Sequence, residues 1–458
     1  MVFSSLIFIF FFLPIFLLVY YVSPKKIKNF VLMIFSLIFY AWGETKYIFL
    51  LVLVSLINFI CALLINRRRK KGKKEKIILI LTVIFNIGIL GCFKYLGFIT
   101  DNLNNIGFNL SIPDLALPLG ISFFVFQGMS YVIDVYRKDI KVEKNFIDFM
   151  TYISMFPQLI AGPIVRYIDI AKELKERTIN FEKFSDGLFI FLTGLFKKVI
   201  IANNIGYLFS LISNDLSSIS MASAWLGILA FALQIYFDFS GYSTMAIGLG
   251  KMIGFNYPDN FNYPYMAKSI TDFWRRWHMT LSGWFRDYVY IPLGGNKKGL
   301  KRQAINIFIV WMLTGLWHGA SWNFVLWGIY FAIILIIEKI FLNKYLQKLP
   351  NVFKHLYAIL LILIGWMLFA FEDFGDLKLY LMKAFVNGNI IDNSFIFYVK
   401  NYFIFIVLGI VFSTPIFSNI KYNKVNSVII FIVYIALFIY TIACLVSDSY
   451  NPFLYFRF

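Results

Sequence analysis

Apolar runs of about twenty residues follow one another along almost the whole chain, separated by short polar clusters. Hydrocarbon offers no partner for backbone N–H and C=O groups, so runs of this length cross a bilayer as helices. The pattern predicts an all-α polytopic membrane protein with about 10–12 transmembrane helices plus one or two re-entrant segments. A single domain covering 1–458 is expected, because no internal repeat and no low-complexity linker beyond Arg67–Lys76 divides the chain.

The first helix is expected over Val2–Val22. It has no basic residue before it and is too long for a signal-peptide core. Ser23–Lys28 is a basic turn, followed by helices over Asn29–Trp42 and Tyr47–Ile65. Arg67–Lys76 is the strongest topology marker, a run of like charges that reads as a solvated tether or lipid-headgroup contact. Lys and Arg stay on the cytoplasmic side, which places the N-terminus outside. Helices over Ile77–Ile99 and Leu117–Tyr136 flank an acidic outer loop, Asp101–Ala116. Phe146–Val165 is broken by Pro157, Gly162 and Pro163 and reads as a re-entrant wall, and Arg166–Lys183 as a cytoplasmic surface helix.

Spans at Ser185–Ile212 and Ala222–Ile253 come next, the second carrying Gln234, Asp238, Ser240, Gly241 and Tyr242. A carboxylate at membrane depth either pairs or functions, so Asp238 is a candidate site residue. Beyond Phe273–Asn323, Val325–Ile337 leads to Glu338-Lys339 and a basic loop reaching His355. Leu356–Phe371 then runs to the acidic Glu372-Asp373. Phe403–Phe417 returns to Lys421 and Lys424, and Val428–Val446 leaves Ser447–Phe458 outside.

Composition agrees with this layout. The 458 residues are 60% hydrophobic and only 15% charged. The net charge of +19 falls in clusters between apolar runs, so it marks topology and gives no reason to expect nucleic acid. Cys61, Cys92 and Cys444 lie inside apolar runs without metal or disulfide spacing. A multi-pass protein of the cell (plasma) membrane is expected, in contact with membrane lipids.

Two of the three histidines fall in one stretch, Phe273–Asn323. His278 follows Phe273-Trp274-Arg275-Arg276-Trp277, a basic aromatic segment suited to a membrane interface. The forks of Arg275 and Arg276 match phosphate geometry. His318 lies fifteen residues beyond Gln303 across a mainly apolar run. On a straight helix that is about 22 Å from the polar edge. An imidazole at that depth either braces a fold through hydrogen bonds or takes a proton from an attacking hydroxyl. His355 reads as surface. No metal cluster, phosphate loop or Ser-His-Asp arrangement is visible. On these residues alone, a membrane enzyme and a transporter both stay open.

Several motifs carry more. They are Phe273-Trp274-Arg275-Arg276-Trp277-His278, Trp284-Phe285-Arg286-Asp287-Tyr288, Tyr290-Ile291-Pro292-Leu293-Gly294-Gly295 and Leu316-Trp317-His318-Gly319-Ala320. Phe156-Pro157-Gln158-Leu159-Ile160-Ala161-Gly162-Pro163, Phe237-Asp238-Phe239-Ser240-Gly241-Tyr242, Leu117-Pro118-Leu119-Gly120-Ile121-Ser122-Phe123 and the ending Asn451–Phe458 support them. Together they resemble the membrane-bound O-acyltransferase family, and within it the alginate O-acetylase-like branch of polysaccharide O-acetyltransferases.

The resemblance implies His318 as the catalytic histidine and His278 as its essential partner. Arg275, Arg276, Trp317 and Asp238 are expected to contact substrate, with no metal and no resident cofactor. It implies acetyl-CoA as the donor, its phosphates meeting Arg275, Arg276 or Lys297. The acceptor would be a cell-surface polysaccharide, or an extracytoplasmic acetyltransferase partner protein that relays the acetyl group. D-alanyl transfer to teichoic acid is the rival within the family. A non-catalytic transporter is the rival outside it, weakly disfavoured by the lack of symmetric halves.

Overall fold

The computed structural model describes residues 1–111, 115–386, 389–417, 424–447 and 450–454. The Lys421 turn, part of the outer Asp101–Ala116 loop and the ending Tyr455-Phe456-Arg457-Phe458 lie outside the described residues. The described chain is helical and contains no strand. Eight of its helices are long and apolar enough to cross a membrane, and Phe8–Val22 is a shorter apolar helix. The chain groups into two compact units. One comprises Met1–Phe191 with Ser243–Pro258, the other Leu192–Tyr242 with Asp259–Phe458.

The first unit is organised by rings. The Phe156 ring meets Phe12 at 5.4 Å, Phe16 at 5.1 Å and Phe39 at 5.4 Å. The first two are edge-to-face, a geometry that contributes roughly 0.5–1.5 kcal/mol per pair beyond burial. The expected break in Phe146–Val165 is present. A helix over Phe146–Ser154 stops, a single turn forms at Phe156–Leu159, and irregular backbone follows. From Asp148 to Val165 every residue is buried, so protein covers the backbone that has no helical partner. Ser36 Oγ accepts from the Phe156 N–H at 3.1 Å, pinning the break.

Two buried amides on the apolar helices are matched to each other. Asn58 and Asn86, on Ile48–Lys70 and Lys76–Leu90, exchange reciprocal amide hydrogen bonds of 3.1 and 3.0 Å. Both are fully buried, where an amide without a partner would be costly. The Arg67–Lys76 run is more than a tether. Arg69 donates to the carbonyls of Val135 and Tyr136 at 3.0 and 2.6 Å, and so caps the helix Ile121–Arg137 where its dipole is negative.

The expected surface helix over Arg166–Lys183 is two elements. Tyr167–Lys175 ends before Thr178, and a new helix starts at Phe181. Asn180 Oδ1 accepts from the Lys183 N–H at 2.9 Å, which starts that helix in the manner of an N-cap.

In the second unit the helices Gly299–His318 and Trp322–Ile337 form a tight hairpin. A Cβ on Gly315 would stand 2.4 Å from the Phe324 carbonyl oxygen, and one on Gly328 2.5 Å from that of Trp311. Glycine at both positions allows the backbones to touch. Gly319-Ala320-Ser321 joins them.

Candidate active site

The stretch Phe273–Asn323 folds as a chain of short pieces before its long helix. A five-residue helix, Ile270–Trp274, leads through Arg275–Trp277 to His278. Met279–Phe285 and the π turn Arg286–Tyr290 follow. Gly294 and Gly295 then take φ of 107° and 54° and turn the chain into Gly299–His318. Asn306 Nδ2 donates to the Gly295 carbonyl at 2.9 Å and holds that turn.

The short helix cannot stand alone, since a single turn is far below a stable nucleus. Glu338 anchors it. Its carboxylate accepts from the backbone N–H groups of Ile270 and Thr271 at 2.7 and 2.8 Å, from Thr271 Oγ1 at 2.6 Å and from Tyr357 Oη at 3.1 Å. Ser269 caps the same end by accepting from the Asp272 N–H at 3.0 Å. In the sequence Glu338-Lys339 leads into a basic loop, and nothing there ties Glu338 to Ile270. A lone carboxylate at the end of an apolar run was the available signal. His355, read as surface, is half-buried and its Nδ1 lies 3.1 Å from the Ala267 carbonyl oxygen, just upstream of this helix.

His278 sits in the left-handed region, φ 45° and ψ 53°, at the start of Met279–Phe285. A non-glycine residue stays there only when its surroundings fix it. A loop through Asn260 does so. Asn262 donates its N–H to the Arg276 carbonyl at 2.9 Å, and Met279 donates to that of Asn260 at 3.0 Å. Asn260 Oδ1 accepts from the Thr280 N–H and Oγ1 at 3.3 and 2.9 Å. The same oxygen lies 3.0 Å from His278 Nδ1. The backbone N–H of Thr280 can only donate, so the Asn260 atom is the amide oxygen and His278 Nδ1 carries the proton. Nε2 of the neutral ring is then the basic nitrogen. Burial pushes the His278 imidazole down to about 3, so the neutral ring persists at neutral pH. Asn260, eighteen residues upstream of His278 in an irregular stretch after Pro258, was missed by the sequence reading.

His318 is the last residue of its helix and is buried. Trp327 and Phe369 present their rings edge-on to it at 5.0 and 5.3 Å. The Trp317 indole is shared, with its centroid 5.0 Å from His318 and 5.9 Å from His278. Both histidines line one cavity of about 240 Å³, together with Arg275, Trp274, Ser282 and Thr314. Trp274 Nε1 is buried with no acceptor among the described residues.

The other expected site residues are placed differently. Arg276 is not on the cavity wall. Its Nε is 2.8 Å from Asp272 Oδ1, and its guanidinium also reaches the Asn262 carbonyl. Trp317 is not among the lining residues and packs its ring on both histidines. Asp238 is paired away from the cavity. Its Oδ1 is 2.6 Å from Lys198 Nζ, and its Oδ2 accepts from the Leu454 N–H at 2.8 Å. Lys198 also donates to Asn203 Oδ1 at 2.8 Å and to the Pro452 carbonyl. The Asp238 pair therefore holds the segment Asn451–Leu454.

Comparison with known proteins gives the family of the chain. Residues 34–371 match the model described as MBOAT, the membrane-bound O-acyltransferase family. A probable alginate O-acetylase of Pseudomonas putida is 39% identical over 100% of both chains. A peptidoglycan O-acetyltransferase of Helicobacter pylori is 35% identical over 85% of this chain and 80% of its own. A teichoic acid D-alanyltransferase of Bacillus subtilis is 30% identical over 51% of this chain and 62% of its own. The chain therefore belongs to the membrane-bound O-acyltransferase family, as a multi-pass membrane O-acyltransferase.

Proposed function

We propose that this protein is an O-acetyltransferase. It would move an acetyl group from a cytoplasmic thioester donor, acetyl-CoA, to a hydroxyl of an extracytoplasmic cell-surface polysaccharide. A partner acetyltransferase that relays the group is an alternative first acceptor. The observation that carries this reading is the meeting of His278 and His318 on the wall of one cavity, from positions forty residues apart in sequence. The similarity to relatives named for alginate and peptidoglycan O-acetylation supports the acetyl group and the polysaccharide acceptor.

In this scheme His318 takes the proton from the attacking hydroxyl while a C–O bond forms at the thioester carbonyl. The tetrahedral intermediate then collapses, the C–S bond breaks and the thiolate leaves as the proton is returned. His278 orients the donor through its basic Nε2, and Arg275 on the same wall supplies a cation for the developing negative charge. Trp274 Nε1–H is a further donor in the same lining.

The test is acyl transfer by purified protein supplied with labelled acetyl-CoA, or with D-alanine on a carrier protein. Turnover of acetyl-CoA alone supports the reading. Turnover of the D-alanyl carrier alone overturns the choice of acyl group.

A further inference from the structure

A second large recess lies in the first unit, remote in sequence from the histidine cavity and not used by the chemistry above. It is an open cleft of about 1540 Å³. Its lining carries the basic residues Lys25, Lys26, Lys28, Lys172, Lys175 and Arg177 against the acids Asp148 and Glu176. Asp148 is already engaged, by Lys175 at 2.6 Å and by the Asn29 amide. Glu173, four residues before Arg177, gives both carboxylate oxygens to Asn256. The cleft thus holds a surplus of positive charge that its own carboxylates do not cancel.

Arg177 is the centre of that surplus. Its Nε donates to Tyr20 Oη at 2.8 Å, and its Nη1 to Asn29 Oδ1 at 2.7 Å and the Glu173 carbonyl at 3.2 Å. All three acceptors are neutral, and Nη2 has no acceptor among the described residues. The guanidinium stands over the Phe255 ring at 4.7 Å, which fixes its plane. Lys28 lies beside it over the Tyr20 ring at 4.5 Å and donates to the Tyr20 carbonyl. Burial and the neighbouring Arg177 charge both hold the Lys28 ammonium below its usual range. Two fixed cations side by side with no carboxylate bonded to either among the described residues are a cost that a bound anion would relieve.

One flank of the cleft is apolar and open. Leu18 is 67% and Phe181 84% exposed, and Leu17 and Tyr21 belong to the same lining. A cationic ledge beside exposed apolar side chains fits a phosphate that carries acyl chains. We propose that this cleft is a phosphate-binding site, and that its occupant is the headgroup of an anionic membrane phospholipid. The same phosphate chemistry occurs on coenzyme A, so the test separates the two sources.

The full-length protein in neutral detergent is titrated with dioctanoyl phosphatidylglycerol, with dioctanoyl phosphatidylcholine and with coenzyme A, and bound species are counted by native mass spectrometry. The expected result is saturable phosphatidylglycerol binding at least tenfold tighter than phosphatidylcholine. That preference should be lost in Arg177→Gln and reduced severalfold in Lys25→Ala/Lys26→Ala, whose side chains are exposed and leave packing intact. Coenzyme A binding that disappears in the same variants would support the phosphate site and assign it to a soluble phosphate. Equal binding of the two lipids with no Arg177-dependent coenzyme A binding would overturn the proposal. So would a phosphatidylglycerol preference that survives in both variants.

Discussion

Asn260 Oδ1 lies 3.0 Å from Nδ1 of His278 and fixes which nitrogen of that ring is basic. Asn260 is a positioning residue, and its removal frees the ring to adopt either tautomer. Asn260→Ala should lower kcat by about 10²-fold, the scale of one mispositioned group in an active site. Asn260→Asp keeps the acceptor but adds a charge that favours the imidazolium. It raises the His278 pKa, so the acid limb of its pH–rate profile should move to higher pH than in the wild type. A purely structural Asn260 would leave that profile unmoved.

The same ring sets a pH dependence of stability. Folded His278 is held at about 3, below the roughly 6.5 of a free imidazole. Between those values the unfolded chain binds the extra proton, so stability rises with pH through that window and is level above it. Thermal unfolding from pH 5 to 7.5 should show this slope in the wild type and a shallower one in His278→Gln.

Lys198 and Asp238, 2.6 Å apart and both buried, are predicted to act on the fold. Removing one charge strands the other, so Asp238→Ala should cost about 3–5 kcal/mol. The double variant Lys198→Met/Asp238→Leu should recover much of that loss. A raised KM for the donor with unchanged stability in Asp238→Asn would instead indicate substrate contact.

Glu338 supports the helix that leads into the Arg275–His278 turn through three hydrogen bonds and accepts a fourth from Tyr357. Glu338→Ala leaves buried backbone donors unmatched and should destabilise the protein by about 3 kcal/mol. Thermal unfolding with and without substrate checks this, and activity should fall with the same variant. Lys339→Ala, one residue on, is the control and should do neither.

Gly315 is predicted to tolerate no side chain, because a Cβ there would stand 2.4 Å from the Phe324 carbonyl oxygen. Gly315→Ala should cost about 1–3 kcal/mol through overpacking. It should also lower activity, since the hairpin that presents His318 must open. The unfolding midpoint and the transfer rate measure both effects.

Much of this was legible because a bilayer narrows the options. The long apolar runs are helices, His318 lies on the helix that its apolar run implies, and Pro157 marks the break in Phe146–Val165. Residues whose meaning depends on a tertiary partner were not legible. Asn260 lies in a stretch with no periodicity. Glu338 looks like any charge at the end of a span until the helix at Ile270 is docked on it. Arg275 and Arg276 are alike as letters, yet one lines the cavity and the other pairs with Asp272. Arg69 sat in a run that charge alone could not resolve into a cap and its solvated neighbours.

The central claim is that His318 performs the acyl transfer. The most direct measurement is acetyl transfer from labelled acetyl-CoA by purified wild type and His318→Ala, each shown to be membrane-inserted and monodisperse. The prediction is turnover in the wild type and a loss of at least about 10³-fold in the variant, the scale of a removed general base. A folded His318→Ala protein that still transfers acetyl at the wild-type rate would contradict the account.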